Sequence, residues 1–200
     1  MIQKPRGTMD ILPKEVATWQ FIEAKAREVA AKFGFSEIRF PSFESTELFH
    51  RGVGDSTDVV QKEMYTFTDR EGRSLTLRPE GTASVARTLI ENGMCSDTMP
   101  LKLYYLINCF RYEKPQAGRS REFFQFGTEM FGSDNPAADA TAIALASSVL
   151  KRLGLKNVKL HLNSIGCKDC RPGYRAALVD YFGKSTCLCD TCKTRLDKNP

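Results

Sequence analysis

No apolar run in this chain approaches the length needed to cross a membrane. Its opening, Met1-Ile2-Gln3-Lys4-Pro5-Arg6-Gly7, lacks the apolar core of a secretion signal. The expected setting is therefore a reducing cytoplasm, with no membrane partner. Histidine is scarce: His50 and His161 lie far apart and form no ligand pair, and no G-x-S-x-G elbow is present. Neither imidazole is given a catalytic role. Ser, Gly and Pro do not cluster into a linker, and no internal repeat is visible. A string of modules is thus not expected. Charge of one sign is not dominant either. The net charge of +5 permits an anionic partner such as ATP or RNA without requiring one.

What is present suffices for one substantial domain of 200 residues with a small appendage. Val16, Trp19, Ile22, Ala26, Val29, Ala30 and Phe33 recur at helical spacing after Pro13, and Gly34 stops the pattern. Strands are expected over 35–40, 64–68 and 74–77, the last two joined by a turn at 69–73. A helix is expected over 81–91. Residues 102–112 and 121–131, rich in aromatic side chains, read as the antiparallel central pair of a sheet. An Ala-rich helix follows Asn135-Pro136 and ends at Gly154, and 158–162 reads as one more short strand. From Gly166 the composition shifts to Cys, Lys, Arg and Asp. The expected division is a core over 1–165 and a Cys-rich segment over 166–200. The fold class expected is α+β, a largely antiparallel sheet flanked by helices.

Three constellations carry chemistry. The first is the stretch 108–129. Strand alternation puts Arg111 and Glu113 on one face, and Arg121, Phe123, Gln125, Gly127 and Glu129 on one face of the facing strand. A sheet face rarely spends charge this way unless the charge is paired or bound. Guanidinium forks suit phosphate, and Phe123 can stack on a base. Gly127, lacking a side chain, leaves room for a ligand ring beside Glu129. A salt-bridge ladder on a solvated strand pair is the bland alternative. The second is Arg78-Pro79-Glu80-Gly81-Thr82, where a carboxylate and a hydroxyl could grip an ammonium group. The same residues also suit a plain helix start. The third is a pair of CxxC motifs, Cys167/Cys170 and Cys189/Cys192, with eighteen residues between them. Their spacing matches a four-thiolate structural zinc site, with Cys187 a possible substitute for Cys189, or else a set of unligated thiols. Cys95 and Cys109 read as ordinary buried thiols.

The stretch 108–129 resembles motif 2 of the class II aminoacyl-tRNA synthetases, most closely the histidyl enzymes of bacteria. Other segments match in order. Residues 6–13 resemble that family's opening. The long helix followed by 38–43 with Pro41 resembles motif 1, the dimer-building element. Residues 47–54, 57–60 and 62–65 are also family-like. The resemblance implies an incomplete class II catalytic core and a histidine–tRNA ligase that is a homodimer. Its substrates would be ATP with Mg2+, histidine and histidine tRNA.

By the same resemblance, Glu80, Gly81, Thr82 and Gln125 would hold the α-amino end of histidine, and Glu129 would face its imidazole. Arg111 would bridge the amino-acid carboxylate and the α-phosphate as the catalytic residue. Glu113 would lie near adenine, Phe123 would stack on it, and Arg119 would meet the terminal phosphates. Lys114 and Gln116, in the loop 114–120, would reach the tRNA acceptor end. Two positions depart from the pattern: Phe124 stands where His is common, and Ser120 where Tyr or Leu is common. The family continues past Pro200 with a histidine-specific segment, motif 3 and an anticodon-binding domain. The chain thus resembles the family's N-terminal part, and it is not expected to charge tRNA alone. Two other roles are open: the synthetase-like regulatory subunit of ATP phosphoribosyltransferase, and a non-catalytic dimerisation module.

Overall fold

The structure, a computed structural model, describes residues 1–53, 57, 59–163, 166–185 and 187–198. The chain divides into two compact units, Met1–Val158 and Lys159–Pro200. In chain order the first holds α1 (Pro13–Lys32), β1 (Ser36–Glu37), β2 (Phe43–Ser45), α2 (Thr46–Val53) and a π turn at Val59–Glu63. After these come β3 (Tyr65–Thr68), β4 (Ser74–Leu77), α3 (Thr82–Glu91), β5 (Leu101–Phe110), β6 (Glu122–Phe131) and α4 (Pro136–Arg152). The second holds α5 (Arg171–Gly183) and α6 (Asp190–Lys198).

The main sheet runs β1-β5-β6, with β5 and β6 antiparallel over their full length and β1 parallel to β5. Its register sets Phe123 opposite Cys109, Gln125 opposite Ile107, Gly127 opposite Tyr105 and Glu129 opposite Leu103. One face is sealed by α1 and α4, where Val29, Ala30, Leu145 and Val149 close over Tyr104. On the other face Leu103, Tyr105, Ile107 and Cys109 meet Val85 of α3. This second face carries the polar residues of β6. Local signals match the helices: Pro13 and Pro136 occupy first-turn positions, and Asn135 Oδ1 accepts from Ala137 N–H at 2.9 Å.

A smaller antiparallel sheet, β2-β4-β3, feeds chain into α3. Its centre is a buried hydroxyl ladder: Thr76 bonds Thr46 and Thr66, each at 2.9 Å. The β3–β4 turn is held by Asp69 Oδ1, which accepts from Glu71 and Arg73 N–H.

The largely antiparallel α+β class stands, with corrections. Among the described residues there are two sheets, not one. The strand expected over 35–40 pairs only at Ser36–Glu37. The carbonyls of Phe40 and Pro41 instead accept from the Arg78 guanidinium at 3.0 and 3.2 Å. Arg78 is buried and also donates to the Asn108 carbonyl and side chain, so an ion joins three segments in place of a ladder. No strand forms over 158–162; Leu160 and Leu162 are exposed, and an alternating pattern without a neighbouring edge cannot pair. Helices α2, α5 and α6 were not legible. The expected boundary near 165 falls on residues 164–165, outside the described ones; the compact division comes after Val158.

The N-terminal segment reaches the main sheet. The Gly7 carbonyl accepts from Arg121 N–H at 2.8 Å and from Glu122 N–H at 3.2 Å. Gly7 has φ 86°, and a Cβ there would stand 2.8 Å from Arg121 Cγ, so glycine is required twice over.

Candidate functional site

The candidate site is the α3-facing side of the β5–β6 pair, together with the turn that starts α3. Arg111 follows the end of β5, where its N–H bonds the Arg121 carbonyl at 2.8 Å. Its Nε donates to the Pro79 carbonyl at 2.9 Å, and its guanidinium lies 5.1 Å from the centre of the Phe123 ring. Among the described residues its two terminal nitrogens have no hydrogen-bond partner. One nitrogen thus fixes the fork while the other two stay available to an acceptor.

Next along the face come Cys109 and Gln125, with the thiol donating to Gln125 Oε1 at 3.6 Å. Burial pushes the Cys109 thiol up to about 11, so it stays neutral. Cys109 is buried as expected, whereas Cys95 is exposed in a short 3-10 turn, against expectation.

At the far end, Glu129 Oε1 accepts from Thr82 Oγ1 at 2.7 Å and from the Tyr105 hydroxyl at 3.2 Å. No ion pair or other hydrogen bond involves Glu129 among the described residues. The salt-bridge alternative therefore fails here. Desolvation pushes its carboxyl up, against the two hydroxyl bonds, and the Glu80 carboxylate adds to the rise.

Tyr105 is the residue that sequence reasoning missed. Its ring is wedged between Gly81 and Gly127: a Cβ at Gly81 would stand 2.4 Å from Tyr105 Cζ, and one at Gly127 2.2 Å. The space above Gly127 is therefore filled by Tyr105, not left for a ligand ring as the sequence suggested. The signal was a tyrosine two positions before Ile107, but only the register puts it opposite Gly127. Burial raises its hydroxyl pKa, which keeps it a donor. Gly127→Ala is expected to lower stability by about 1–3 kcal/mol through overpacking, because Gly81 blocks the retreat of the ring. Gly127→Ala should cost less when Tyr105 is already alanine than it does in the parent, as read by denaturant midpoints in a double-mutant cycle.

Glu80 turns out to be spoken for. Its two oxygens accept from Thr82 N–H at 2.5 Å and Ala83 N–H at 2.9 Å, which caps α3. The helix-start reading of this residue holds, and Thr82 is left to orient Glu129. Glu113 pairs with Arg119 at 3.4 Å. That is the ion-pair alternative realised locally, on a half-exposed loop where such a pair is worth little. Arg121 does not join Arg111. Its guanidinium stacks 4.1 Å from the centre of the Tyr112 ring, and Nε donates to the Glu113 carbonyl. Lys114 is exposed, and Gln116 closes a tight turn with Arg119 around Gly118 at φ 77°. Phe124 lies on the opposite face against Trp19, ring centres 4.6 Å apart, so its departure from the pattern does not touch the site.

The cysteines do not gather. Among the described residues no three His, Cys, Asp or Glu groups converge on a point that could hold a metal ion. The reason is α5: thirteen residues of helix, roughly 20 Å at the usual rise, separate Cys170 from Cys187 and its neighbours. Cys167 and Cys170 form one pair with sulfurs 3.6 Å apart, while Cys192 is hydrogen-bonded to Cys189 and Cys187 to Ser185. A site joining Cys167, Cys170, Cys189 (or Cys187) and Cys192 within this chain does not fit.

Comparison with known proteins gives this geometry a family. Residues 7–168 match the histidyl-tRNA synthetase family. A histidine–tRNA ligase of Caldicellulosiruptor saccharolyticus is 57% identical over 200 residues, covering 100% of this chain and 48% of the relative. That of Anoxybacillus flavithermus is 58% identical, covering 99% and 47%. The chain thus spans about half the length of the curated relatives it matches. Among solved structures, apo histidyl-tRNA synthetase of S. aureus superposes with a TM-score of 0.78 at 42% identity, covering 100% of this chain and 47% of that one. An ATP phosphoribosyltransferase regulatory subunit/histidyl-tRNA synthetase from Bacillus halodurans C scores 0.71 at 28% identity, covering 98% and 54%. A family match over most of the residues, made by a chain whose site face is built as described, means that this chain belongs to the histidyl-tRNA synthetase family.

Proposed function

We propose that this chain supplies the adenylate-forming face of a histidine–tRNA ligase. The observation that carries the reading is Arg111. Its guanidinium is anchored through one nitrogen to Pro79, has two nitrogens unpartnered among the described residues, and lies against Phe123 on the strand face that also carries Gln125 and Glu129. A histidine carboxylate oxygen attacks the α-phosphorus of ATP in line and expels pyrophosphate. Arg111 holds the attacking carboxylate and the α-phosphate together and stabilises the charge that develops there. Gln125 and Thr82 hold the α-amino end, and the second oxygen of Glu129 accepts the imidazole N–H. Phe123 stacks on adenine, beside Glu113. Arg119 leaves Glu113 for the terminal phosphates, an exchange that costs little because the resting contact is long, at 3.4 Å, and its guanidinium side is exposed. Magnesium arrives on the phosphates as part of the nucleotide substrate and neutralises charge there.

Transfer to the tRNA acceptor end follows, with Lys114 and Gln116 of the exposed loop nearest the incoming strand. We further propose a homodimer built on α1 and residues 38–43, working in the cytoplasm. No helix among the described residues is long and apolar enough to cross a membrane. The test is amino-acid-dependent exchange of pyrophosphate into ATP, run on this chain continued to the length of its relatives. Exchange with histidine well above that with other amino acids is expected. A protein that binds histidine yet exchanges nothing would overturn the ligase reading. It would instead favour the regulatory-subunit reading, to which the Bacillus halodurans structure lends support.

A further inference from the structure

The adenylate-forming reading leaves Cys167 and Cys170 without a role. Both are exposed, and their sulfurs face each other at 3.6 Å. The backbone holds this approach. Cys167 N–H donates to Cys170 Sγ at 3.0 Å, and Arg171 N–H closes the turn on the Cys167 carbonyl at 2.9 Å. Gly166, at φ 77°, leaves the flank of the turn bare, and a Cβ there would stand 2.7 Å from Cys170 Sγ. The sulfurs are therefore preset against each other, while α5 keeps the remaining thiols of the second unit out of reach of a shared tetrahedral centre. Two exposed thiols in this arrangement have one reaction open to them that the cysteines of the first unit do not: Cys109 is buried, and among the described residues no second cysteine is paired with Cys95.

We propose that Cys167 and Cys170 are a dithiol site that exchanges with low-molecular-weight disulfides of the oxidised-glutathione class and closes to an intramolecular disulfide. Whichever sulfur reacts first, its thiolate attacks one sulfur of the small disulfide. That forms a mixed disulfide and expels one small thiolate. The neighbouring cysteine thiolate then attacks the protein sulfur of the mixed disulfide and expels the second. The two cysteines lose two protons and two electrons between them, and the small disulfide takes up both to become two thiols. Closure needs the sulfurs to approach to about 2 Å, which side-chain rotation within the CxxC turn can supply.

The experiment uses the chain as it stands, purified metal-free and reduced, then treated with oxidised glutathione and alkylated. Mass mapping should show the peptide carrying both Cys167 and Cys170 lighter by about 2 Da, unalkylated at both sulfurs, and free of glutathione. Cys167→Ser and Cys170→Ser should each stop at the mixed disulfide and carry glutathione on the remaining sulfur. Reduction should restore two alkylatable thiols to the parent. The proposal is overturned if the parent peptide retains both thiols, if it accumulates only mixed disulfide, or if Cys167 is found linked to one of Cys187, Cys189 and Cys192. It is also overturned if zinc added alone binds at one ion per chain and is lost in both Cys167→Ser and Cys189→Ser, since a shared four-thiolate centre would then exist. None of these readouts depends on histidine, ATP or tRNA.

Discussion

Arg111→Ala, in this chain continued to the length of its relatives, is expected to cut histidine-dependent pyrophosphate exchange on the order of a hundredfold or more. The guanidinium is held from behind by Pro79 and flanked by Phe123, so its free nitrogens are fixed in direction before any ligand arrives. A preorganised donor of that kind spends nothing on reorientation when charge develops on the α-phosphate. Alanine removes it while leaving the backbone bond from Arg111 N–H to the Arg121 carbonyl intact, so the melting temperature should move little. The loss should fall on kcat rather than on KM for either substrate alone, the mark of an interaction made in the transition state. Exchange within about threefold of the parent would remove Arg111 from the chemistry.

Glu129→Ala in the same protein is expected to lower kcat/KM for histidine well over tenfold, with a much smaller effect on ATP. One carboxylate oxygen is spent on Thr82 and Tyr105; the other is the acceptor left for a ring N–H. A site built around one such acceptor rejects ligands that cannot donate to it. A companion, Glu129→Gln, separates recognition from mere packing, because the amide oxygen can still accept from both hydroxyls. The sign follows from burial. The folded carboxyl is held above its unfolded value, so the charged form costs stability at neutral pH, and that cost is relieved as pH falls through the raised value. Glu129→Gln should therefore leave the unliganded protein as stable as the parent or more so at neutral pH, with the difference shrinking in acid. Equal weakening of both substrates together with a lower melting temperature would make Glu129 a structural residue only.

How much of this was legible depended on whether the deciding neighbour was local in sequence. The period-two run from Phe123 to Glu129 announced a polar sheet face, and the face is there. Asn135-Pro136 and Pro13 announced helix starts, and both helices start there. Tyr105 was invisible because its partners, Gly81 and Gly127, are set by register and by the docking of α3, neither of which is written in a short window. Arg78 read as part of a ligand turn, yet it is a buried cation bonded to backbone carbonyls of distant segments. Glu80 went the other way: its local signal as a cap was the whole of its visible structure. The Cys-rich end misled because CxxC spacing says nothing about what lies between the pairs, and here a helix does.

The two hydrogen bonds that the Gly7 carbonyl accepts from Arg121 and Glu122 N–H bear on what can be cut from this protein and still work. The residues of motif 2 are contiguous and look like a portable hairpin. Their second strand, however, begins on a carbonyl supplied from the start of the chain, and their first is braced from behind by α1 and α4. A peptide spanning only 101–131 would lose both supports, and a graft of those residues into another sheet would carry the charges without their aim. The same bond makes the N-terminus a poor place to shorten: removing the first seven residues takes away the acceptor on which β6 starts, at the edge of the loop that carries Arg119.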